Sequence, residues 1–222
     1  MSSSTSSFAQ HHVIVAQCES YLAAHGDNHK GVGWPNFDDA QLRYQVMLDG
    51  LLAAVPAGKQ VCVLDFGCGP AHFHAFLQQQ PHATRVEYTG LDLSEKYLAI
   101  ARQKFPNTTF LQLDVLKEPE ALPTFDYIVL NGIFTQKCSN SFEEMWAYCQ
   151  ETLRTLWPKA RHGMAFNAMT KQVDWERDDL FHLPMDTLAA FLKKELTRHF
   201  TFRHDYGLFE YTSYLFREPN QR

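Results

Sequence analysis

Two glycines placed directly after a short apolar run constrain this chain most. Val61–Asp65 has the composition of a buried strand, Gly67 and Gly69 follow at once, and Phe73 and Phe76 mark one face of the helix that comes next. Glycines at this place let the backbone approach a ligand closely, and the following helix presents its positive N-terminus to that ligand. The pattern predicts a strand, a ligand-binding turn and a helix.

Strands and helices continue to alternate after this unit. Between two of the later strands, the capping box Ser141-Phe-Glu-Glu144 opens a further helix. Strands this apolar, each followed by a helix, form a parallel, doubly wound Rossmann-like α/β sheet with helices on both faces. The additional parallel strands are predicted at Val86–Asp92, Thr109–Asp114, Phe125–Leu130 and Gly163–Ala168.

The last two predicted strands depart from this alternation. His199–Tyr206 and Glu210–Arg217 are joined through Gly207, and so short a connection does not allow a parallel crossover. We therefore expect an antiparallel hairpin at the end of the chain. It completes a sheet of seven strands in which the last one is antiparallel.

Two helical patterns precede the sheet. The first has Ile14 and Cys18 on one face and ends at Gly26, and the second follows the cap candidate Asp38 and extends to Val55. Residues 1–8, which are mostly serine, are expected to be a disordered tail. Residues 9–57 are expected to form an N-terminal helical cap, and residues 58–222 a single α/β domain.

The charge balance excludes several classes of partner. The 222 residues carry 20 Lys and Arg against 25 Asp and Glu, so no excess positive charge is available for a nucleic-acid backbone. No apolar stretch reaches the ~18 residues of a membrane span, and the N-terminus lacks the basic and apolar regions of a signal peptide. The five cysteines form no CxxC pair, which argues against a disulfide or zinc framework. We expect a cytoplasmic protein, monomer or homodimer, that binds neither nucleic acid nor membranes.

Three polar residues stand where other predicted strands end. Asp92 closes the second strand, Asp114 closes the third, and Asn131 follows the fourth. A carboxylate at the end of the second strand accepts hydrogen bonds from the ribose hydroxyls of a nucleoside-like cofactor. Taken alone, either aspartate also fits a strand-end turn. Because ligands of open α/β sheets bind outside the carboxyl ends of the strands, the three residues are expected to meet the glycine turn in one crevice.

With these residues in place, the chain resembles the class I S-adenosylmethionine-dependent methyltransferases over most of its length, about 61–217. The closing hairpin fits that family, whereas Pro70-Ala71 departs from the residue and glycine found there in many members. The resemblance implies S-adenosylmethionine as the cofactor, with S-adenosylhomocysteine as its product, and no metal. The cofactor site that it implies consists of Asp65, Gly67, Cys68, Gly69, Asp92, Leu93, Asp114, Val115, Asn131, Gly132 and Ile133, closed by Trp34 and Arg43 from the N-terminal segment.

Two alternatives are open at this point. A nicotinamide-binding domain is the nearest, although its fingerprint requires a glycine where this chain has His72. The other is a non-catalytic cofactor-binding subunit that supports a partner enzyme. His72 and His74 do not indicate a metal site, because a helix turns positions i and i+2 to different faces.

The resemblance further implies methyl transfer to an oxygen or nitrogen atom of a small molecule, such as a sugar or a secondary metabolite. The end of strand six and the start of strand seven are expected at the cofactor edge. Candidate catalytic residues there are His204 as general base, Asp205 and Tyr211, unless the segment serves only to stabilise a hairpin turn. The residues expected to bind the acceptor, on the same edge or in a lid over 171–182, are Phe134, Gln136, Lys137, Asn167, Trp175, His182 and Tyr206.

Overall fold

The computed structural model describes residues 10–54 and 58–219. The tail predicted over 1–8 and the helix position Val55 lie outside these residues. Within them, seven strands form one sheet. The strands are Val61–Phe66 (β1), Val86–Asp92 (β2), Thr109–Gln112 (β3), Phe125–Phe134 (β4), Ala160–Met169 (β5), Phe200–Arg203 (β6) and Glu210–Phe216 (β7).

The order of the strands across the sheet is β3-β2-β1-β4-β5-β7-β6. The first five strands run parallel to one another, and β7 runs antiparallel to both of its neighbours, β5 and β6. The predicted doubly wound sheet with an antiparallel last strand is confirmed. Because β7 lies between β5 and β6, the end of β6 is at the outer margin of the sheet.

Six α-helices accompany the sheet in the described part of the chain. They are Gln10–His25 (α1), Phe37–Ala54 (α2), His72–Gln78 (α3), Glu95–Lys104 (α4), Phe142–Leu156 (α5) and Met185–Phe191 (α6), which continues into a π turn at Leu192–Leu196. None of the helices described by the structure is long and apolar enough to cross a membrane.

The apolar core has two parts, one on each face of the sheet. Met145, Leu153 and Leu188 bring α5 and α6 into the first cluster, and Met47 and Phe73 bring α2 and α3 into the second. Burial of these side chains supplies the main stabilisation of the fold. Helix α2 therefore packs directly on one face of the sheet, and the division of the chain at 57/58 stays a prediction. Among the two N-terminal helices, only α1 has no part in the second cluster.

The helix starts show one correction and one confirmation. Asn36, not Asp38, caps α2, because its Oδ1 accepts hydrogen bonds from the backbone nitrogens of Asp38 and Asp39 at 2.8 and 3.2 Å. The capping box of α5 is present as predicted. The backbone nitrogen of Ser141 donates to Glu144 Oε2 at 2.8 Å, and the backbone nitrogen of Glu144 donates to Ser141 Oγ at 3.1 Å.

Two strand ends also differ from the prediction, and both lie near the expected crevice. Strand β3 stops at Gln112 because Asp114 forms a turn, in which its Oδ1 accepts a hydrogen bond from the backbone nitrogen of Leu116 at 3.2 Å. Strand β4 continues to Phe134, with an irregular register after Leu130. Residues 131–134 consequently remain part of the strand instead of forming a loop.

Candidate active site

The glycine turn after β1 forms the floor of an open cleft at the carboxyl ends of the central strands. Gly67 and Gly69 both have positive φ, 73° and 53°, a conformation that favours glycine. At Gly67 a Cβ atom would lie 2.1 Å from Cδ1 of Ile133. The turn therefore needs glycine both for its backbone conformation and for its close contact with the segment that follows β4.

Asp92 is buried at the end of β2 and is oriented by two backbone donors. Its Oδ2 accepts a hydrogen bond from the nitrogen of Gly69 at 2.8 Å, and its Oδ1 accepts one from the nitrogen of Ser94 at 2.8 Å. Burial raises the pKa of this carboxyl. Each carboxylate oxygen retains a further lone pair for a ligand, so the glycine turn and this acceptor are held together as one unit.

Asp65 lies at the end of β1, beneath the same cleft. The hydroxyl of Tyr88 donates to Asp65 Oδ2 at 2.6 Å. Burial raises the pKa of Asp65 to about 7, although the hydrogen bond from Tyr88 acts in the opposite direction. The carboxyl is thus close to half-ionised at neutral pH, and a ligand with an adjacent positive charge would favour its ionised form.

A buried polar network holds the segment that follows β4. Asn167 Oδ1 accepts from the nitrogen of Gly132, Asn167 Nδ2 donates to Glu210 Oε1, and Arg43 Nε donates to Glu210 Oε2, each at 2.8 Å. The Arg43 guanidinium carbon lies 4.1 Å from the ring centroid of Trp34. At Gly132, where φ is 89°, a Cβ atom would lie 2.8 Å from Cζ2 of Trp34. The two ends of the network, Gly132 and Trp34, therefore lie at the same wall of the cleft.

Helix α1 forms the opposite wall with Ile14, Val15 and Cys18. The hydroxyl of Tyr97 lies 2.8 Å from the carbonyl oxygens of both Cys18 and Gly31, which anchors the helix and the loop after it. Burial raises the pKa of the Cys18 thiol to about 12.

Polar contacts also fasten this wall to the rest of the domain. Glu19 accepts hydrogen bonds from Ser94 Oγ at 2.7 Å and Lys96 Nζ at 2.6 Å. Asp27 contacts His72 Nε2 at 2.8 Å, and Lys104 Nζ at 3.0 Å. The N-terminal segment is thereby tied to α3 and to both ends of α4.

The cleft contains about 1110 Å³ of empty space and is open to solvent. Of the described residues, no lysine or arginine lines it. A smaller adjoining cavity has His11, Phe66, Leu93 and Tyr148 in common with it and reaches Asp114 and Val115. Beyond the residues already mentioned, the main cleft is lined by Val32, Tyr44, Pro70, Phe73, Leu91, Thr135 and Gln136.

Comparison with known proteins identifies the family. The model of a methyltransferase domain matches residues 63–159. A Mycobacterium tuberculosis protein named as a methyltransferase is 29% identical over 160 residues, covering 71% of this chain and 94% of that relative. The chain belongs to the class I S-adenosylmethionine-dependent methyltransferases.

Two further similarities are weaker, one in the length that it covers and the other in sequence identity. Trans-aconitate 2-methyltransferase of Escherichia coli is 42% identical over 82 residues, which are 37% of this chain and 31% of that enzyme. The match thus spans about a third of that relative. The magnesium protoporphyrin IX methyltransferase of Synechocystis PCC 6803, solved with its methyl donor bound, shares the fold with a TM-score of 0.60 at 15% identity, covering 91% of this chain and 96% of that one.

The cleft of this methyltransferase has the features that an S-adenosylmethionine site requires. The glycine turn leaves space at the floor, and Asp92 presents a buried carboxylate there. Asn131 Oδ1 is buried without a hydrogen-bond partner among the described residues, although its residue lines the cleft. A buried acceptor of this kind is normally satisfied by a ligand or by water.

Most of the residues predicted for the cofactor come together around the two cavities. Trp34 also lines the main cleft. Arg43 does not, since its guanidinium lies behind Trp34 in the ion pair with Glu210. The predicted cofactor residues that line one of the two cavities are Asp65, Gly67, Cys68, Gly69, Asp92, Leu93, Asp114, Val115, Asn131, Gly132 and Ile133.

The predicted acceptor residues are mostly placed elsewhere. Gln136 lines the cleft, but Phe134 is fully buried against Phe166, and Asn167 lies one layer behind Gly132. Lys137 Nζ points to the carbonyl oxygen of Asn140. Phe134 and Asn167 belong to β4 and β5, where successive residues point to opposite faces of the sheet. Lys137 lies in the turn after β4.

The lid and hairpin candidates also lie apart from the cleft. Trp175 is 72% exposed and does not line the cleft. His182 is buried, where its Nδ1 lies 2.6 Å from the carbonyl oxygen of Thr170 and its Nε2 accepts from the nitrogen of Arg177. The hydroxyl of Tyr206 lies 2.9 Å from Thr212 Oγ1. His182 and Tyr206 thus belong to the framework on the hairpin side of the sheet, whereas Trp175 is a surface residue.

The structure does not bring the predicted catalytic residues to the cleft. His204 and Asp205 are exposed beyond the end of β6, where Asp205 Oδ1 accepts from Arg203 Nε at 2.9 Å. Tyr211 is fully buried and its hydroxyl donates to the carbonyl oxygen of Leu183 at 3.2 Å. Because β7 lies between β5 and β6, the hairpin turn is at the outer margin of the carboxyl edge, apart from the cleft, as the turn-stabilising alternative expects.

The sequence interpretation also missed part of the site. His11, Val15, Tyr97 and Tyr148 all line the cleft, yet none follows a strand of the sheet. His72 lines it too, with its Nε2 held by Asp27. Helix α1 reaches the cleft through contacts between residues that are far apart in the chain, such as His11 with Asp114 and Glu19 with Ser94. No local sequence pattern indicates such contacts.

Proposed function

We propose that this methyltransferase moves the methyl group of S-adenosylmethionine to an oxygen or nitrogen atom of a small, uncharged, largely apolar molecule. The observation that carries the proposal is the composition of the cleft. The cofactor acids Asp65 and Asp92 lie at its floor, whereas the walls above them are aromatic, aliphatic or neutral polar. Bound S-adenosylmethionine supplies a sulfonium leaving group and the methyl group itself.

Different residues are proposed to bind different parts of the cofactor. Asp92 accepts hydrogen bonds from the ribose hydroxyls, and the glycine turn accommodates the methionine part. Asp65 and the unpartnered Asn131 Oδ1 provide acceptors near the amino group. These residues bind and orient the cofactor, and the two walls narrow the access of water to it, as an in-line displacement requires.

The acceptor is proposed to bind between Trp34, Ile133 and Gln136, next to the wall formed by α1. A tricarboxylate such as trans-aconitate would find no cationic side chain on the described lining of this cleft, and burying an unpaired carboxylate is costly. A sugar would leave many hydroxyl groups facing apolar side chains. An apolar secondary metabolite with a single reactive hydroxyl or amine fits the lining best.

His72 is the proposed acceptor of the proton that a hydroxyl substrate releases. Burial raises the pKa values of Cys18 and Tyr44, so both groups are protonated at neutral pH and cannot accept another proton. Burial lowers the pKa of His72, although its hydrogen bond with Asp27 opposes the effect. The imidazole is therefore neutral near pH 7, with one nitrogen bonded to Asp27, which is a suitable state for a base.

The first test is calorimetric titration of S-adenosylmethionine, S-adenosylhomocysteine and NAD into the full chain. We expect micromolar binding of the first two and none of NAD. Binding of NAD alone would refute the proposal, and silence for all three would favour the non-catalytic subunit. A chain that binds the cofactor is then incubated with methyl-labelled S-adenosylmethionine and sets of apolar phenols, alcohols and amines, sugars, and tricarboxylates.

Two tryptophans provide a matched control for the acceptor site. Trp34 lines the cleft, whereas Trp175 is exposed on the loop after β5. Trp34→Ala is expected to raise KM for any acceptor found at least tenfold, and Trp175→Ala to leave it within twofold. Equal effects of the two substitutions, or methylation confined to tricarboxylates, would contradict the proposed acceptor class.

A further inference from the structure

His11 reaches from α1 across the sheet edge to the turn after β3. Its Nε2 lies 3.2 Å from Asp114 Oδ2, in a contact between residues that are 103 positions apart. The side chain is buried, with 2% of the residue exposed, and its ring stacks on Tyr148 at 5.8 Å between centroids. A helix that is otherwise half-exposed thus inserts one polar side chain at the far end of the cleft.

The same side chain has an unsatisfied polar atom. His11 Nδ1 is buried and has no hydrogen-bond partner among the described residues. Leaving a buried polar atom unpaired is energetically unfavourable, so such atoms usually meet a ligand or water. His11 lines both the main cleft and the smaller cavity that Leu93, Val115 and Tyr148 border. The residue that carries the unpaired nitrogen therefore borders space that a ligand can enter.

We propose that His11 is a specificity-determining residue for the nucleobase of the cofactor, which it recognises together with Asp114. This inference rests on the proposed function, because the base in question is the adenine of S-adenosylmethionine. Because the Asp114 carboxylate accepts from His11 Nε2, His11 Nδ1 is an acceptor. The 6-amino group of adenine would donate one hydrogen to the Asp114 carboxylate and the other to His11 Nδ1. The surrounding Phe66, Leu93 and Tyr148 provide the apolar surfaces that a planar base requires.

The charges around Asp114 favour a base over a metal ion. His11, His12 and Asp114 have ligand atoms within 4.8 Å of one another, as a metal site would require. However, Lys117 Nζ lies 3.1 Å from Asp114 Oδ2, the same oxygen that faces His11. An ammonium group at this oxygen repels a second cation but permits a neutral amine donor. The exposed ring of His12 is then not part of the site.

The experiment compares two ligands that differ only at the recognised edge. S-adenosylhomocysteine and S-inosylhomocysteine, in which a carbonyl replaces the 6-amino group, are titrated calorimetrically into the full chain. We expect the wild type to prefer the adenine ligand at least tenfold. His11→Ala is expected to weaken the binding of S-adenosylhomocysteine about tenfold and to reduce the preference for the adenine ligand to threefold or less. His11→Gln, which keeps a polar group, is expected to restore part of the preference.

His12→Ala is the matched control, because His12 is adjacent on the same helix and exposed. It is expected to bind both ligands as the wild type does, and circular dichroism of all variants checks that they fold. Unchanged or tighter S-adenosylhomocysteine binding by His11→Ala would overturn the inference while leaving the proposed function intact. So would micromolar Zn²⁺ binding that both His11→Ala and His12→Ala abolish. A wild type that binds no S-adenosylhomocysteine would overturn the proposed function, and this inference with it.

Discussion

The carboxyl end of the sheet has two regions with different organisation. At the inner region, around β1, β2 and β4, the turns converge on one cleft and their polar groups point into it. At the outer region, beyond β6, residues such as His204 and Asp205 are exposed and pair with their own hairpin. Both regions have acidic and aromatic residues after strands, so residue type alone does not identify a site.

The difference originates in the order of the strands. Strands of the inner region lie beside each other in the sheet and end side by side, whereas β7 separates β6 from the remaining parallel strands. Glu210 marks the boundary, since it begins β7 and connects through Asn167 to Gly132 at the cleft. Substitutions on either side of this boundary should therefore have unequal effects.

The largest effect is expected at the boundary itself. Glu210→Ala removes the partner of Arg43 and leaves a buried guanidinium uncompensated, which should lower the free energy of unfolding by about 3–5 kcal/mol. Urea unfolding followed by circular dichroism measures this loss. The double variant Arg43→Leu, Glu210→Leu removes both charges and should be more stable than the single variant. A single-variant loss below about 1 kcal/mol would contradict the network as described.

A pH effect of similar size is expected from Asp65 in the inner region. Because burial raises its pKa to about 7 from an ordinary 3.8, the folded chain binds a proton that the unfolded chain releases. The contribution to stability is complete below about pH 4 and is lost as the pH rises to 7, on the order of 4 kcal/mol in all. Relative to Asp65→Asn, the wild type should therefore lose stability from pH 4 to 7 in urea titrations. If the stabilities of the wild type and Asp65→Asn changed with pH in the same way, Asp65 would be ionised in the folded chain over this range.

Substitutions of an aspartate in the inner and in the outer region should differ in their effect on cofactor affinity. Asp92→Asn loses a charged acceptor and places an amide group against the backbone donors of Gly69 or Ser94, so S-adenosylhomocysteine should bind about 10–100-fold more weakly. Calorimetry of this variant is compared with Asp205→Asn, the same change at the outer region. If both variants lost affinity equally, Asp92 would have no specific role at the ribose.

The smallest effect is expected for the residue first proposed as the general base. His204→Ala should leave S-adenosylhomocysteine affinity and methyl-transfer rate within twofold, because the side chain is exposed at the outer region. The rate is measured with any acceptor found by the labelled-methyl screen. A large fall in rate at unchanged affinity would return His204 to the site and show that the hairpin folds over the cleft during the reaction.

Local sequence patterns predicted the inner region well. The strand, glycine turn and helix around Gly67 are specified by neighbouring residues, and the place of Asp92 follows from its position at a strand end. The location of β6 could not be predicted in this way, because the order of strands in a sheet depends on which edges pair. The His11–Asp114 contact and the Arg43–Glu210 ion pair join residues 103 and 167 positions apart, so no pattern in either segment predicts them.

The raised pKa of Cys18 has a chemical consequence for an enzyme of this family. A thiolate is the strongest nucleophile among ordinary side chains, and one beside a sulfonium would be alkylated. With a pKa of about 12, only about one Cys18 in 10⁵ is deprotonated at pH 7. The apolar wall that shapes the cleft thus also keeps this thiol protonated and poorly nucleophilic at neutral pH.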